Sequence, residues 1–199
     1  MGFINFVYKR LNDKPRREGF KDPTVLQRQR ELKQVIIRGI RRFNEDPKKG
    51  ITLLAQKGII DGVDNPHSIA RFLKGTSRVD KKLLGEYISK KQNGEILKAF
   101  MGMFDFSGKR VDEGLREMLE TFRLPGESQL IERIVTEFSD KYCESKENLK
   151  DVADKDAVFV LSYAIIMLNT DQHNPNMKVQ HTPFISLIAR KIDASIPEW

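Results

Sequence analysis

The 199-residue sequence has one cysteine, Cys143, and three histidines, His67, His173 and His181. A single cysteine cannot form an intramolecular disulfide, and such usage is typical of proteins from a reducing compartment. No histidine lies at metal-ligand spacing from another histidine or from the cysteine, so we expect no metal site. A glycine-rich phosphate loop is also missing, so the chain is not itself predicted to be a GTPase or a kinase, and we expect no cofactor.

Long apolar runs are absent as well, because no stretch reaches the roughly 20 apolar residues of a membrane-spanning helix. Residues 1–20 turn charged after a short apolar opening and lack a small-residue cleavage site, so they are not predicted to be a secretory signal. Alternating strand patterns are missing too. The content of 39% apolar and 32% charged residues suits a soluble protein with a helical core. The sequence therefore predicts an all-α fold.

The net charge of +7 is concentrated near the start of the chain. Residues 1–44 contain 12 Lys/Arg and 4 Asp/Glu, a net charge of +8, whereas the remainder contains 23 and 24, a net charge of −1. A neutral body argues against a nucleic-acid groove, so we expect no nucleic-acid partner. The basic arm is either a solvated helix face or a surface that binds anionic lipid or an acidic partner.

Helix start signals recur at short intervals through the first two thirds of the chain. Each is an Asp or Asn that suits the N-cap, and three of them precede a proline, which suits the first helical position. Short gaps between the signals indicate a compact stack of helices. The predicted helices cover residues 23–43, 47–56, 66–73, 81–92, 93–103 and 111–121.

The segment TFRLPGESQLIERI places a Pro-Gly pair and Glu127 before an apolar stripe that runs from Leu130 to Tyr142. The stripe predicts a helix. One interpretation of its start is ordinary helix chemistry, with Pro125 in the first turn and a carboxylate at the positive end of the dipole. The other is that Glu127 is presented to a partner on a rigid tip.

Residues 157–168 contain Ser162 as their one polar residue, so this predicted helix is apolar nearly all round. It is too short to span a bilayer. It must be buried on most sides, or buried on one side and exposed as an apolar patch on the other. A polar run follows it, and this arrangement is typical either of a core helix with a polar cap or of the rim of a binding groove.

The segments FRLPGESQLIERI and DAVFVLSYAIIMLNTDQHN closely resemble the two signature segments of the Sec-seven (Sec7) domain, the exchange module that acts on Arf-family small GTPases. Together with FDFSGKRVDEGLREMLETFRLPGES they look most like the large Golgi type, the Gea/GBF-like factors. The resemblance implies a right-handed superhelix of about eight to ten helices with an apolar groove. It divides the chain into a basic arm and first helix (1–44), an exchange body (45–178) and a divergent tail (179–199).

The resemblance implies that the chain promotes GDP release from an Arf-family GTPase, in its GDP-bound and nucleotide-free forms, without covalent chemistry. Glu127 falls on the family's "glutamic finger". The residues that the resemblance places in the GTPase-binding groove are Asp156, Phe159, Tyr163, Ile166, Met167 and Asn174. The brefeldin A contacts that it suggests are Tyr163, Ala164, Met167 and Asp171.

The resemblance further implies a cytoplasmic protein, peripheral on Golgi-type membranes and active in vesicle transport. The alternative is a helical scaffold that binds a membrane or an acidic partner through residues 1–44, without exchange activity. The tail departs from the family pattern, so the family's closing helices are predicted to be missing or replaced. A short amphipathic helix over about 184–193 is predicted there instead.

Overall fold

The computed structural model describes residues 22–145, 147, 148, 152 and 154–173, with residues 170–173 described by their backbone alone. Within these residues the fold is all-α, as predicted, with no β-strand. No helix in this part of the chain is long and apolar enough to cross a bilayer. The elements are α1 (Pro23–Glu45), α2 (Pro47–Gln56), α3 (Pro66–Lys74), α4 (Lys81–Ile88), a 3₁₀ turn (Lys91–Asn93), α5 (Gly94–Met101), α6 (Val111–Thr121), α7 (Ser128–Cys143) and α8 (Lys155–His173).

Local capping chemistry sets most of the helix starts. The Asp46 carboxylate accepts hydrogen bonds from the backbone N–H groups of Lys48 and Lys49 at 3.1 and 3.3 Å. Asn65 caps α3 and Asp80 caps α4 in the same way. These bonds satisfy N–H groups that have no partner inside the helix, which confirms three of the predicted caps.

Asn93 does not cap α5, and that prediction is wrong. Its side-chain amide instead donates to the carbonyl oxygen of Tyr87 at 2.6 Å. This bond satisfies a carbonyl near the C-terminal end of α4, where the 3₁₀ turn interrupts the helix predicted over 81–92. The competing partner is six residues away in sequence, so the cap pattern alone did not reveal it.

The chain divides into two compact units, residues 1–38 and 39–199. In the first unit, the helical residues 23–34 are all exposed. In the second unit, α5 packs against α3, α4 and α7, while α8 packs against α6 and α7. The last turns of α1 also belong to the second unit, where Gly39, Ile40 and Phe43 are buried.

A chain of phenylalanine rings links α5, the connection between α5 and α6, the loop after α6, and α7. Phe106 contacts Phe138 of α7 at 5.0 Å and stacks on Phe104 at 5.4 Å. Phe100 of α5 then contacts both Phe104 and Phe122, at 5.8 and 6.0 Å between ring centroids. Such pairs add about 0.5–1.5 kcal/mol each beyond the area they bury. Phe122 ends the chain of rings at the base of the Pro-Gly loop.

Asn148 holds the connection between α5 and α6 in place. Its side-chain oxygen accepts from the N–H of Gly108 at 2.9 Å, and its amide donates to the carbonyls of Phe106 and Tyr142 at 2.9 and 3.0 Å. Asn148 is buried, so these bonds form away from water, where loss of a partner is costly. The bonds fix the path of the chain into α6, and α6 leads to the loop that carries Glu127.

Candidate partner-binding site

The finger loop, residues 122–127, joins α6 to α7 and has a fixed base. The Phe122 ring is fully buried and meets Phe100 edge to face. The backbone N–H of Arg123 donates to the carbonyl oxygen of Lys81 in α4 at 2.9 Å. Pro125 is buried as well. Apolar burial, a hydrogen bond and a rigid ring therefore hold one side of the loop.

Gly85 of α4 lets the loop backbone come close to this helix. A Cβ atom at position 85 would lie 1.8 Å from the carbonyl oxygen of Arg123 and 3.3 Å from the ring of Phe122. Any side chain at this position would overlap the loop, so the close approach requires glycine. Gly85 and the Arg123–Lys81 hydrogen bond together set the position of the loop against α4.

The tip of the finger loop is exposed. Gly126 and Glu127 both face solvent, and a Cβ atom added at Gly126 would meet nothing within 4 Å. Glu127 has extended backbone angles of −95° and 126°, and its carbonyl oxygen accepts from the N–H groups of Leu130 and Ile131 at 3.0 and 3.1 Å. Its side chain makes no capping hydrogen bond. The backbone of Glu127 thus begins the helix, while its carboxylate is free for another role.

The interpretation of the loop as ordinary helix chemistry is only partly right. Pro125 is not in the first turn, because α7 begins at Ser128 and the proline ring is buried in the loop. Glu127 does lie at the positive end of α7. A carboxylate there gains about 0.3–1 kcal/mol from the helix dipole, without a side-chain bond that would restrict it.

The start of α8 is held against α7. The Asp154 carboxylate accepts from the N–H of Ala157 at 2.8 Å. The ammonium group of Lys155 pairs with the Asp140 carboxylate of α7, and this hydrogen bond raises the pKa of Lys155 above its ordinary value. Asp156, one of the predicted groove residues, is exposed beside this ion pair.

Helix α8 has one buried face and one exposed apolar face, which is the second of the two arrangements that its sequence allowed. Val158, Ser162 and Ile166 are buried. Val160 is 53% exposed, and Phe159, Tyr163 and Met167 are half-buried. The rings of Phe159 and Tyr163 stack at 6.1 Å with an interplanar angle of 17°. We call Phe159, Val160, Tyr163 and Met167 the apolar face of α8.

Two of the predicted contact residues offer little surface of their own. Ile166 is 4% exposed and Ala164 is 7% exposed, so both are covered by other parts of this chain. Val160 is the exposed residue that sequence reasoning missed. The sequence did contain a signal for Val160. It lies four residues after Asp156 and three before Tyr163, and Met167 follows four residues later, so these residues share one helical face.

Other predicted site residues fall outside the part of the chain that can be described. Asn174 lies outside it, as does the predicted helix over 184–193, and of Asp171 only the backbone in α8 is described. Among the described residues, no group of three or more His, Cys, Asp or Glu could hold a metal ion. A cleft is also present between α5 and α7, lined by residues that include Lys90, Lys91 and Arg133, but none of the predicted site residues lines it.

Comparison with known proteins defines the family. The sequence pattern of the Sec7 domain matches residues 32–199. The chain belongs to the Sec7 domain family. The match runs to residue 199 and so includes the segment 179–199.

Several relatives of this Sec7 domain are named as guanine-nucleotide exchange factors. It is 39% identical over 200 residues to ARF guanine-nucleotide exchange factor 2 of Saccharomyces cerevisiae, covering 92% of this chain and 14% of the relative. It is 43% identical over 155 residues to the Golgi-specific brefeldin A-resistance guanine nucleotide exchange factor 1 homolog of Caenorhabditis elegans, covering 78% and 8%. The chain therefore spans less than a sixth of the length of these relatives.

A solved structure described as ARF1-GDP bound to a Sec7 domain complexed with brefeldin A has a chain with the same fold. The TM-score is 0.71 and the sequences are 48% identical, with 76% of each chain covered. Similarity at this level indicates that the helices of the two domains follow the same path.

Proposed function

We propose that this Sec7 domain promotes GDP release from an Arf-family GTPase, with Glu127 as the group that displaces the nucleotide. The observation that carries the proposal is the exposed carboxylate at the tip of a loop whose base is fixed. The relatives named as ARF and Golgi-specific exchange factors, and the neighbouring Sec7 domain bound to ARF1-GDP, support this choice of partner.

The charge of Glu127 supplies the repulsion. A GTPase holds GDP through its diphosphate and Mg²⁺, and a carboxylate beside the β-phosphate repels the diphosphate while competing for the cations that hold it. Unit charges about 4 Å apart interact by roughly 4 kcal/mol at an effective dielectric constant near 20. That energy corresponds to about three decades of nucleotide affinity.

The fixed base of the loop makes this repulsion usable. A flexible carboxylate would move away from the phosphate, and ordering it would consume binding free energy. Here the buried Phe122, the Arg123–Lys81 hydrogen bond and the contact with Gly85 restrict the loop before a partner arrives. Little backbone conformational entropy is left to lose when Glu127 enters the nucleotide site, so the remaining cost is the ordering of its side chain.

The apolar face of α8 provides the binding energy that opens the GTPase. A catalyst of exchange must bind the opened GTPase more tightly than the closed one. Phe159, Val160, Tyr163 and Met167 offer a contiguous apolar surface for the switch regions of the partner, and exposed Asp156 offers a carboxylate at its edge. By the same resemblance, brefeldin A would contact Tyr163, Met167 and Asp171 at the interface with the GTPase, whereas Ala164 offers it little surface.

The names of the relatives also bear on location. A Golgi-specific exchange factor among them supports a role for this domain in vesicle transport, on the cytoplasmic side of Golgi-type membranes.

The test is the rate of GDP release from a panel of Arf-family GTPases, loaded with a fluorescent GDP, with and without the chain. We expect the chain to accelerate release from at least one of them. If the chain binds a membrane or an acidic partner through residues 1–44 but leaves every release rate unchanged, the scaffold alternative is the correct one.

A further inference from the structure

The helical residues 23–38 carry apolar side chains in contact with water. Val25 is 44% exposed, Leu26 37% and Leu32 52%, so these three make up half of the six large hydrophobic residues that are exposed in the described part of the chain. Val25 and Leu32 are seven residues apart and therefore lie on one face of the helix. An apolar stripe of this kind is unfavourable in water unless something covers it.

The same stretch carries unpaired positive charge. Residues 23–38 contain four cations, Arg28, Arg30, Lys33 and Arg38, and one carboxylate, Glu31, so the net charge is +3. Glu31 accepts a hydrogen bond from the Gln27 amide at 3.2 Å. None of the four cations lies within ion-pair distance of a carboxylate among the described residues.

We infer that residues 23–38 bind the surface of an anionic lipid bilayer as an amphipathic helix. An exposed apolar face bordered by Arg and Lys is the pattern of helices that lie in the membrane interface. The bilayer covers the apolar side chains with acyl chains and neutralises the cations with anionic headgroups, and it needs no pocket shaped to fit them. This inference is independent of the exchange role of Glu127, because it involves other residues and another ligand.

Vesicle co-sedimentation of the whole chain tests the inference. The probes are vesicles of phosphatidylcholine alone and vesicles of phosphatidylcholine mixed with phosphatidylserine. We expect binding to the anionic vesicles alone, weakened as salt is added. Because each basic residue near an anionic surface contributes about 1 kcal/mol, the variant Arg28→Gln/Arg30→Gln/Lys33→Gln should bind them about a hundredfold more weakly.

A matched variant removes the same charge elsewhere. Lys48, Lys90 and Lys91 are exposed in the second unit, so Lys48→Gln/Lys90→Gln/Lys91→Gln should bind nearly as well as the parent chain. The apolar contribution is tested with Val25→Gln/Leu32→Gln, which should weaken binding about tenfold or more. Its control is Val63→Gln/Met103→Gln, at two exposed apolar residues outside the helix.

Three results would overturn the inference. They are equal loss of binding in the two charge variants, full binding by the Val25→Gln/Leu32→Gln chain, and no binding of the parent chain to anionic vesicles. The last result, combined with binding to an acidic protein through the same helix, would assign these residues to a protein partner instead.

Discussion

Replacing Gly85 by alanine tests whether the base of the finger loop sets the position of Glu127. The added Cβ atom would lie 1.8 Å from the carbonyl oxygen of Arg123, whereas real contacts of this kind are essentially never under 3.0 Å. The loop must therefore move away from α4 by more than about 1 Å, because the obstacle is backbone and cannot rotate aside. The Arg123–Lys81 hydrogen bond, now 2.9 Å, would lengthen in the same movement.

A displacement of about 1 Å at a reacting group can lower a rate by about a hundredfold. We expect Gly85→Ala to reduce GDP release from an Arf GTPase by about ten- to a hundredfold, and to lower the free energy of unfolding by about 1–3 kcal/mol. Release rates and urea melts are measured on the same preparation. Affinity for the GTPase, measured separately, should fall much less, since the apolar face of α8 is unchanged.

Gly94→Ala is the matched control, because an added Cβ there meets nothing within 4 Å. It should leave both the release rate and the unfolding free energy close to those of the parent chain. If Gly85→Ala loses stability yet releases GDP within about twofold of the parent rate, the loop base does not position Glu127.

Three further predictions follow from α7 and α8. Val160→Ala and Tyr163→Ala should weaken GTPase binding, and Tyr163→Ala should lose more than about 1 kcal/mol of binding free energy. The melting temperature of the Val160→Ala chain should stay unchanged. A binding titration that shows no loss for either variant would mean that the apolar face of α8 does not contact the GTPase. Ser162 is buried and its hydroxyl has no hydrogen-bond partner among the described residues. Ser162→Ala should therefore raise the free energy of unfolding, measured in urea melts, by about 1 kcal/mol. A loss of stability would show that the hydroxyl has a hydrogen-bond partner. Burial, and then the nearby Asp140, raise the pKa of the Glu137 carboxyl; the native state therefore binds more protons, and this group lowers stability as pH rises from the ordinary carboxyl range to neutral. Glu137→Gln should accordingly raise the free energy of unfolding at neutral pH but not at acid pH, by less than about 1 kcal/mol because the group is partly exposed. Urea melts at the two pH values measure this, and an equal effect at both would contradict this cause.

Features governed by neighbouring residues could be predicted from the sequence. Asp46, Asn65 and Asp80 cap their helices because each side chain reaches N–H groups two or three positions further on. Asn93 is also an Asn before a predicted helix, but its side-chain nitrogen donates to the Tyr87 carbonyl, and its side-chain oxygen accepts no bond from the helix N–H groups. That outcome depends on how α4 ends, and the cap pattern contains no information about it.

In the candidate site, too, the sequence predicts local features, whereas features that depend on tertiary packing could not be predicted. The resemblance assigns Glu127 to the finger, and that role stays a prediction, whereas an apolar helix over 157–168 was evident from its composition and is confirmed. Which face of that helix is exposed depends on the packing of α6 and α7, so Ile166 was assigned to the surface and Val160 was overlooked. Gly85 carried no signal at all, because its importance arises from Arg123, which is 38 residues away in sequence.

The most direct test of the proposed mechanism compares GDP release from an Arf GTPase by the parent chain, by Glu127→Gln and by Glu132→Gln. Glutamine keeps the size of the side chain and removes its charge, and Glu132 is an exposed carboxylate on the same helix. Loss of a charge interaction of roughly 4 kcal/mol predicts a fall of up to about three decades for Glu127→Gln, with unchanged melting and an unchanged rate for Glu132→Gln. Release by Glu127→Gln within about threefold of the parent rate would contradict the account.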